Sequence, residues 1–217
     1  MLGALCDAIL FCTARAGFGH AFVTWATRDH PPTLVHTSSQ EAVALSDLQD
    51  ALGEGPTITS LATGASVFVG DMRLDPPGAD WLLFGGEAAA LGVRSVTATP
   101  LRVHEVGVGA LTLHGTGPAP EPPGGREFSA LLSALGVVLL GSWHLLDPEG
   151  RGDRFTPHSA VVHQAAGMVS VQAATTLADA MLRLQAHALG RGLTLTAVCQ
   201  LVVDRALRFE VRDDDLG

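Results

Sequence analysis

The chain has 217 residues, a formal net charge of −9 and no lysine anywhere, which argues against a protein that holds nucleic acid through an overall basic surface. Its apolar content of 47 % is enough for one or two packed domains and excludes global disorder. Cys6, Cys12 and Cys199 form neither a CxxC pair nor an even disulfide framework, so no zinc or other metal site is expected and a reducing cytoplasm fits best.

Asp7 interrupts the apolar run Met1 to Phe11, and Arg15 comes too late for a basic leader. The start of the chain therefore reads as an amphipathic helix over Leu2–Ala14, striped by Leu5, Ile9 and Cys12, and not as a signal peptide. His20 to Thr27 alternates like a strand, Asp29-His30-Pro31-Pro32 reads as a turn, and Thr33 to Thr37 returns as a second strand. Ser39 to Leu52 has helical spacing through Val43, Leu45, Leu48 and Leu52, and stops at Gly53-Glu54-Gly55-Pro56. A third strand follows at Ala65–Val69, then a helix over Trp81–Leu91 ending at Gly92. Val93–Val103 and Val106–His114 make a hairpin turned at His104-Glu105. Thr116 to Gly125 is a loop rich in proline and glycine. Glu127–Leu146 is a long helix; Ser129, Ser133, Gly136, Gly141, Ser142 and His144 break its apolar run, so it reads as buried or paired and not as a membrane span. This order implies a mixed sheet with helices on its faces.

Asp147 to Pro157 is a polar connector, the natural domain boundary. Beyond it the period becomes 3.6 throughout. Val161, Ala165, Met168 and Gln172 share a face of a first helix. Leu177, Met181, Leu184 and Ala188 form the stripe of a second, and Leu195, Val198, Leu201 and Val202 that of a third. Thr176 with Asp179 makes a capping box with Asp in place of Glu. Gly190 and Gly192 close the second helix, and Thr194 is the N-cap expected for the third.

The run His163 to Val169, with Ala180, Leu184 and Ala188 and then Leu195, Val198, Val202 and Val203, resembles an ANTAR domain, a three-helix RNA-binding module of bacterial antiterminators. Ala166 stands where many members have lysine, and Gln185 where many are basic; both differences remove positive charge from the face expected to meet phosphate. In the first part, Asp47-Leu48-Gln49 with Leu52 to Pro56, Val69-Gly70-Asp71, Gly92 to Ser95 with Pro100-Leu101, and Gly107 to Leu111 together resemble a GAF domain. The two resemblances imply an α+β chain with a GAF-like sensor over residues 1–146, a linker over 147–156 and an all-α ANTAR-like module over 157–212. They also imply an antiterminator that binds a dual RNA stem-loop, with no DNA and no cofactor beyond an unidentified small GAF ligand; separately, the apolar surface of the helix Glu127–Leu146, more than one sheet face should cover, predicts a homodimer, and no membrane partner is expected.

For RNA, the expected face carries His163, Gln164, Ala165, Gly167, Met168, Arg183 and His187. Gly167 would let a base or backbone come close, and Arg183 and His187, one turn apart, would meet phosphate. For the GAF ligand, the expected lining is Phe22, Thr24, Phe68, Trp81, Phe84, Arg94 and Thr97. Arg94 either holds an anion or pairs with Glu87 or Asp71; the internal pair is the favoured reading. A haem would need an axial histidine such as His20 or His104. Gly107-Val108-Gly109 lacks the third glycine of a dinucleotide site, and no HExxH, GxSxG or P-loop occurs, so no catalytic residue is expected. A methionine sulfoxide reductase would need cysteines inside the GAF pocket, which the positions of Cys6, Cys12 and Cys199 do not supply.

Overall fold

A computed structural model describes residues 2–14, 17–27, 30–74, 81–146, 157–193 and 195–209. The chain divides into two compact units, Met1–Arg154 and Phe155–Gly217. Most of the expected connector, Asp29 of the first turn, and Thr194 lie outside the described residues.

The first unit runs α1 (Leu2–Thr13), β1 (His20–Thr27), β2 (His30–Thr37), α2 (Gln40–Leu52), α3 (Pro56–Thr63), β3 (Val67–Val69), α4 (Phe84–Ala90), β4 (Ser95–Val103), β5 (Val106–Gly115) and α5 (Arg126–Leu146). Its five strands lie in the order β2-β1-β5-β4-β3. Every pairing is antiparallel, so the sheet is not the mixed one expected. The helices between strands return the chain to an edge or to an antiparallel neighbour, and no parallel crossover is made.

Register decides the two faces, because residues directly opposite one another point the same way. Ala21 and Val23 face Leu113 and Leu111 across β1 and β5. With Cys6 and Ile9 of α1 and Phe128, Leu135 and Leu139 of α5 they form one apolar cluster. The opposite face presents His20, Phe22 and Thr24 beside His114, Thr112 and Ala110. It lies under α2 and α3, with α4 packed on α2.

Two local expectations are corrected. Pro31 and Pro32 belong to β2 and not to a turn; β2 is an edge strand, where a missing N–H breaks no ladder bond. Gly53 to Pro56 is not only a stop. Gly53 caps α2 with φ 65°, and Pro56 opens the eight-residue α3, where its lost N–H would have been unsatisfied anyway.

The second unit contains α6 (Pro157–Gln172), α7 (Leu177–Arg191) and α8 (Leu195–Val203). Its core is made mostly of small side chains: Val162, Ala165, Ala166, Val169, Ala180, Leu184, Ala188, Leu195, Val198, Cys199 and Val202 are buried. The α7 core stripe is therefore Ala180–Leu184–Ala188, while Leu177, expected inside, is 62 % exposed. On α8, Cys199 is buried and Leu201 is on the surface. The Thr176 cap forms: its hydroxyl accepts from the Asp179 N–H at 3.1 Å and donates to the Asp179 carboxylate at 2.7 Å. Gly192 takes the left-handed C-cap at φ 60°, and Gly190 remains inside the helix.

Among the described residues no single helix is long and apolar enough to cross a membrane.

Candidate functional site

Two regions concentrate polar chemistry, one in each unit. In the first, the sheet face under α2 and α3 buries hydroxyls and a histidine. Thr57 of α3 and Thr112 of β5 share a hydrogen bond of 2.7 Å between their hydroxyls. The Gln49 side-chain carbonyl accepts from the Thr57 N–H at 2.7 Å, which fastens the start of α3 to the end of α2. That carbonyl supplies the cap that Gly55, with no side chain, cannot.

His114 is 2 % exposed, and neither of its ring nitrogens has a hydrogen-bond partner. Its ring stacks on that of His20 at 4.8 Å. His20 in turn bonds through Nδ1 to the Ser39 hydroxyl at 2.8 Å, and the same hydroxyl accepts from the Ala42 N–H as the N-cap of α2. Burial pushes the His114 imidazole down to about 4; the neighbouring His20 adds to this, and the Glu41 carboxylate opposes it. His114 is thus held neutral, with its donor and acceptor both unused.

Around this face the loops are tied down by charge. The Glu54 carboxylate accepts from the Leu83 and Phe84 N–H groups at 3.0 and 3.3 Å, at the start of α4. Trp81 donates from Nε1 to the Thr59 hydroxyl at 2.9 Å and meets Phe84 edge-on at 5.5 Å. Arg94 meets Asp71, not Glu87: Nη2 donates to Oδ2 at 2.7 Å, and Nε donates to both oxygens. The guanidinium holds the Asp71 carboxyl below the usual carboxylate range.

The seven residues expected to line a ligand pocket do not share one surface. Phe22 and Thr24 are on the face beneath α2 and α3, and Phe84 and Trp81 belong to α4 and the turn before it. Phe68 and Thr97 lie opposite one another, in register with Leu113, and so on the other face; Phe68 packs there against the α1–α5 cluster. A one-residue offset along a strand is enough to make this difference. On the first face there is instead a cleft of about 420 Å³ between α3 and the sheet end that carries Gly107 and Gly109, with Ser60 on its wall and Arg102 in its lining. None of those residues was expected, because α3 was not recognised; proline at its first position and Gly64 at its left-handed cap, φ 69°, were the available signals.

In the second unit a groove is lined by Gln164, Gly167, Met168, Val171, Gln172, Arg205 and Arg208. Arg205 closes α8 with φ 61°, a conformation that costs an L-residue about 1–3 kcal/mol. The Phe209 N–H donates to the Gln172 side chain at 3.0 Å and ties the segment after α8 to α6. Of the residues expected to meet RNA, Gln164, Gly167 and Met168 lie in this groove. His163 and Arg183 are exposed, and His187 meets Phe209 edge-on at 5.5 Å. Ala165 is fully buried, so its place is in the core. Arg205 and Arg208 were missed, because they follow the last helical stripe.

Cys6 and Cys199 are buried, and burial pushes their thiols up to about 11 and about 12, so both stay protonated near neutral pH and are poor nucleophiles. The expected haem candidates are placed apart: His20 bonds Ser39, while His104 is exposed in the hairpin turn. Among the described residues no three His, Cys, Asp or Glu side chains are grouped to hold a metal.

No protein-family model and no curated protein matches the chain. Solved structures similar to it include GAF3 of Slr1393 from Synechocystis sp. PCC6803, at 18 % identity and TM-score 0.47, covering 68 % of this chain and 96 % of that one. A GAF domain/HD domain protein from Geobacter sulfurreducens is similar at 15 % identity and TM-score 0.43, over 64 % of this chain and 91 % of the other. A type II free methionine-R-sulfoxide reductase from Thermoplasma acidophilum is similar at 14 % identity and TM-score 0.39, over 66 % and 92 %.

Proposed function

We propose that this chain is a signal-responsive RNA-binding antiterminator, in which a GAF-like first unit senses a small molecule or partner and an ANTAR-like second unit binds paired RNA stem-loops. The observation that supports the RNA half most is the groove where Gln164, Gly167 and Met168 meet Arg205 and Arg208. Loop bases are unstacked and offer both flat faces and edges. A guanidinium can stack on the former and donate to phosphate, and a helical glycine leaves backbone open to close approach. Within the described part of the second unit, Arg183, Arg191, Arg205 and Arg208 face only Asp179 and Asp204, against the acidic balance of the whole chain. Arginines after α8 would then supply the charge that Ala166 and Gln185 lack.

The test is a titration of the full chain against a dual stem-loop RNA at fixed salt, beside an unstructured control. Arg205→Gly is expected to raise stability by about 1 kcal/mol, since glycine relieves the left-handed strain. The same change should cost about tenfold or more in RNA affinity, the loss of one charge-assisted contact. Opposite signs for stability and binding separate a working arginine from an ordinary cap. A variant that gains stability and still binds as wild type removes the groove from the RNA face.

A second reading, dimerisation or partner binding without RNA, is favoured by Phe11 on α1 and by Val137 and Leu140 on α5, exposed by 84 %, 61 % and 44 %. Equal binding of structured and unstructured RNA would transfer the proposal to it.

A further inference from the structure

We infer that the acidic run Asp213-Asp214-Asp215 docks on the groove of the second unit and competes with RNA for Arg205 and Arg208. The competition rests on the RNA reading of that groove; the contact itself does not.

Charge along the chain changes sign at the edge of the groove. From Phe155 to Phe209 the ionised side chains are Arg183, Arg191, Arg205 and Arg208 against Asp179 and Asp204. Glu210 to Gly217 then sets Arg212 against Glu210, Asp213, Asp214 and Asp215. An excess of two positive charges is thus joined directly to an excess of three negative ones. Opposite charges tethered this closely attract one another whether or not RNA is present.

Two arginines are placed to receive the run. Arg205 and Arg208 line the groove, and both are exposed. Among the described residues neither guanidinium enters an ion pair. The two carboxylates described in this unit are engaged elsewhere: Asp204 accepts from Gln200 Nε2 at 2.9 Å, and Asp179 from the Thr175 and Thr176 hydroxyls. Each guanidinium has five donors and pairs best with a carboxylate, and three consecutive aspartates offer several. Beside the arginines, Met168 and Val171 give the groove an apolar wall, with Val171 83 % exposed. Val211 and Leu216, which flank the acidic run, match that wall in chemistry.

The chain leaves from the rim of the groove. The Phe209 N–H donates at 3.0 Å to the side chain of Gln172, itself a lining residue, and the Phe209 ring meets His187 edge-on. From that anchor the run is within a reach of about 14–20 Å of extended chain. So short a tether keeps it at an effective concentration on the order of millimolar. Surface ion pairs are individually weak, so the docked run is a competitor and not a lock. RNA displaces it at a cost of about three- to tenfold in affinity.

The experiment compares the full chain with a variant carrying Asp213→Asn, Asp214→Asn and Asp215→Asn together, changes that lie beyond the last helix. Arginine Nε resonances are recorded first, without RNA. Those of Arg205 and Arg208 should shift on neutralisation, and those of Arg183 and Arg191 should not. Titration with the dual stem-loop should then show the variant binding about three- to tenfold tighter at low salt. Its salt dependence should be steeper and the two curves should converge as salt rises, because salt also releases the run. Unchanged Arg205 and Arg208 signals overturn the contact, and a gain in RNA affinity beside them is long-range repulsion alone. Shifts that grow with protein concentration assign the run to the groove of a second copy and overturn the tethered contact. Shifted signals with unchanged affinity, in a protein that prefers the stem-loop to an unstructured control, overturn the competition. Shifted signals with no such preference in either form support the contact and overturn the RNA reading instead.

Discussion

The two units solve the problem of polar groups in opposite ways. The first encloses them. One face of its sheet is an apolar cluster with α1 and α5, and the other buries Thr57, Ser60, Thr112 and His114 beneath helices. Some are matched, as Thr57 is by Thr112, and some are not, as with Ser60 and both nitrogens of His114. The second unit keeps a core of small apolar side chains and places its arginines and several large apolar residues outside, with Leu177, Leu182 and Leu189 at least 59 % exposed. An unmet hydrogen bond is costly inside and cheap outside. The proposed division of labour, a sensing first unit and a second unit that binds RNA at its surface, is in keeping with that difference.

The largest expected effect tests how tightly the first unit is closed. Gly109 has φ 150°, and a Cβ there would collide with the Thr24 carbonyl oxygen on the neighbouring strand. Gly109→Ala should cost more than about 3 kcal/mol, because strain and a backbone collision add. Gly167→Ala in α6 meets nothing within 4 Å. It should raise helix stability by up to about 1 kcal/mol. Denaturant curves on both variants check the contrast; a mild Gly109 phenotype would mean that β1 and β5 can move apart.

Acidification comes next. His114 titrates at about 4 in the folded chain against an ordinary value of 6.5. Between those values the unfolded chain takes up a proton that the folded one refuses, so the contribution of His114 is complete above pH 6.5 and is lost as pH drops toward 4, while Asp50, its carboxyl pushed up to about 7 by burial and by Asp47, contributes in the opposite direction over that range. The loss approaches about 3 kcal/mol. His114→Leu should flatten that slope in melts followed by tryptophan fluorescence. A slope that survives the substitution would assign the acid sensitivity to other groups.

Caps give a smaller, matched pair. Thr176→Ala removes the α7 cap and should cost about 1 kcal/mol. Ser39→Ala removes the α2 cap and also the partner of His20, so its cost should exceed that of Thr176→Ala. Equal losses would show that the His20 bond adds nothing.

Arg183→Ala is the smallest for stability. Asp179 bonds to the Thr175 and Thr176 hydroxyls, and the Arg183 side chain is exposed. The change should cost under ~0.5 kcal/mol in a thermal melt. If RNA affinity is also unchanged, Arg183 is not part of the proposed RNA face.

The sequence by itself determined which segments are helix and which strand wherever a period ran long enough to be read. The alternation from His20 to Thr27 and the hairpin at His104-Glu105 are present, as are the helix that follows Ser39 and the Thr176–Asp179 cap. These depend on local forces: side-chain direction, and caps within four residues. Short or unpatterned elements were not legible. The eight residues of α3 are half β-branched and make only about two helical turns between two glycine caps, too short a run for its period to be read. Pro31 and Pro32 could not be placed in a strand until the order β2-β1-β5-β4-β3 made β2 an edge. Only tertiary structure decided the sites. Phe68 and Thr97 had the right chemistry for a pocket with Phe22, and register put them across the sheet from it. Ser60 with Arg102, and Gln164 with Arg205, are separated by some forty residues of chain and come to line the same cleft or groove through packing. Local periodicity records which way a side chain points along its own element; it holds no record of which distant element will stand opposite.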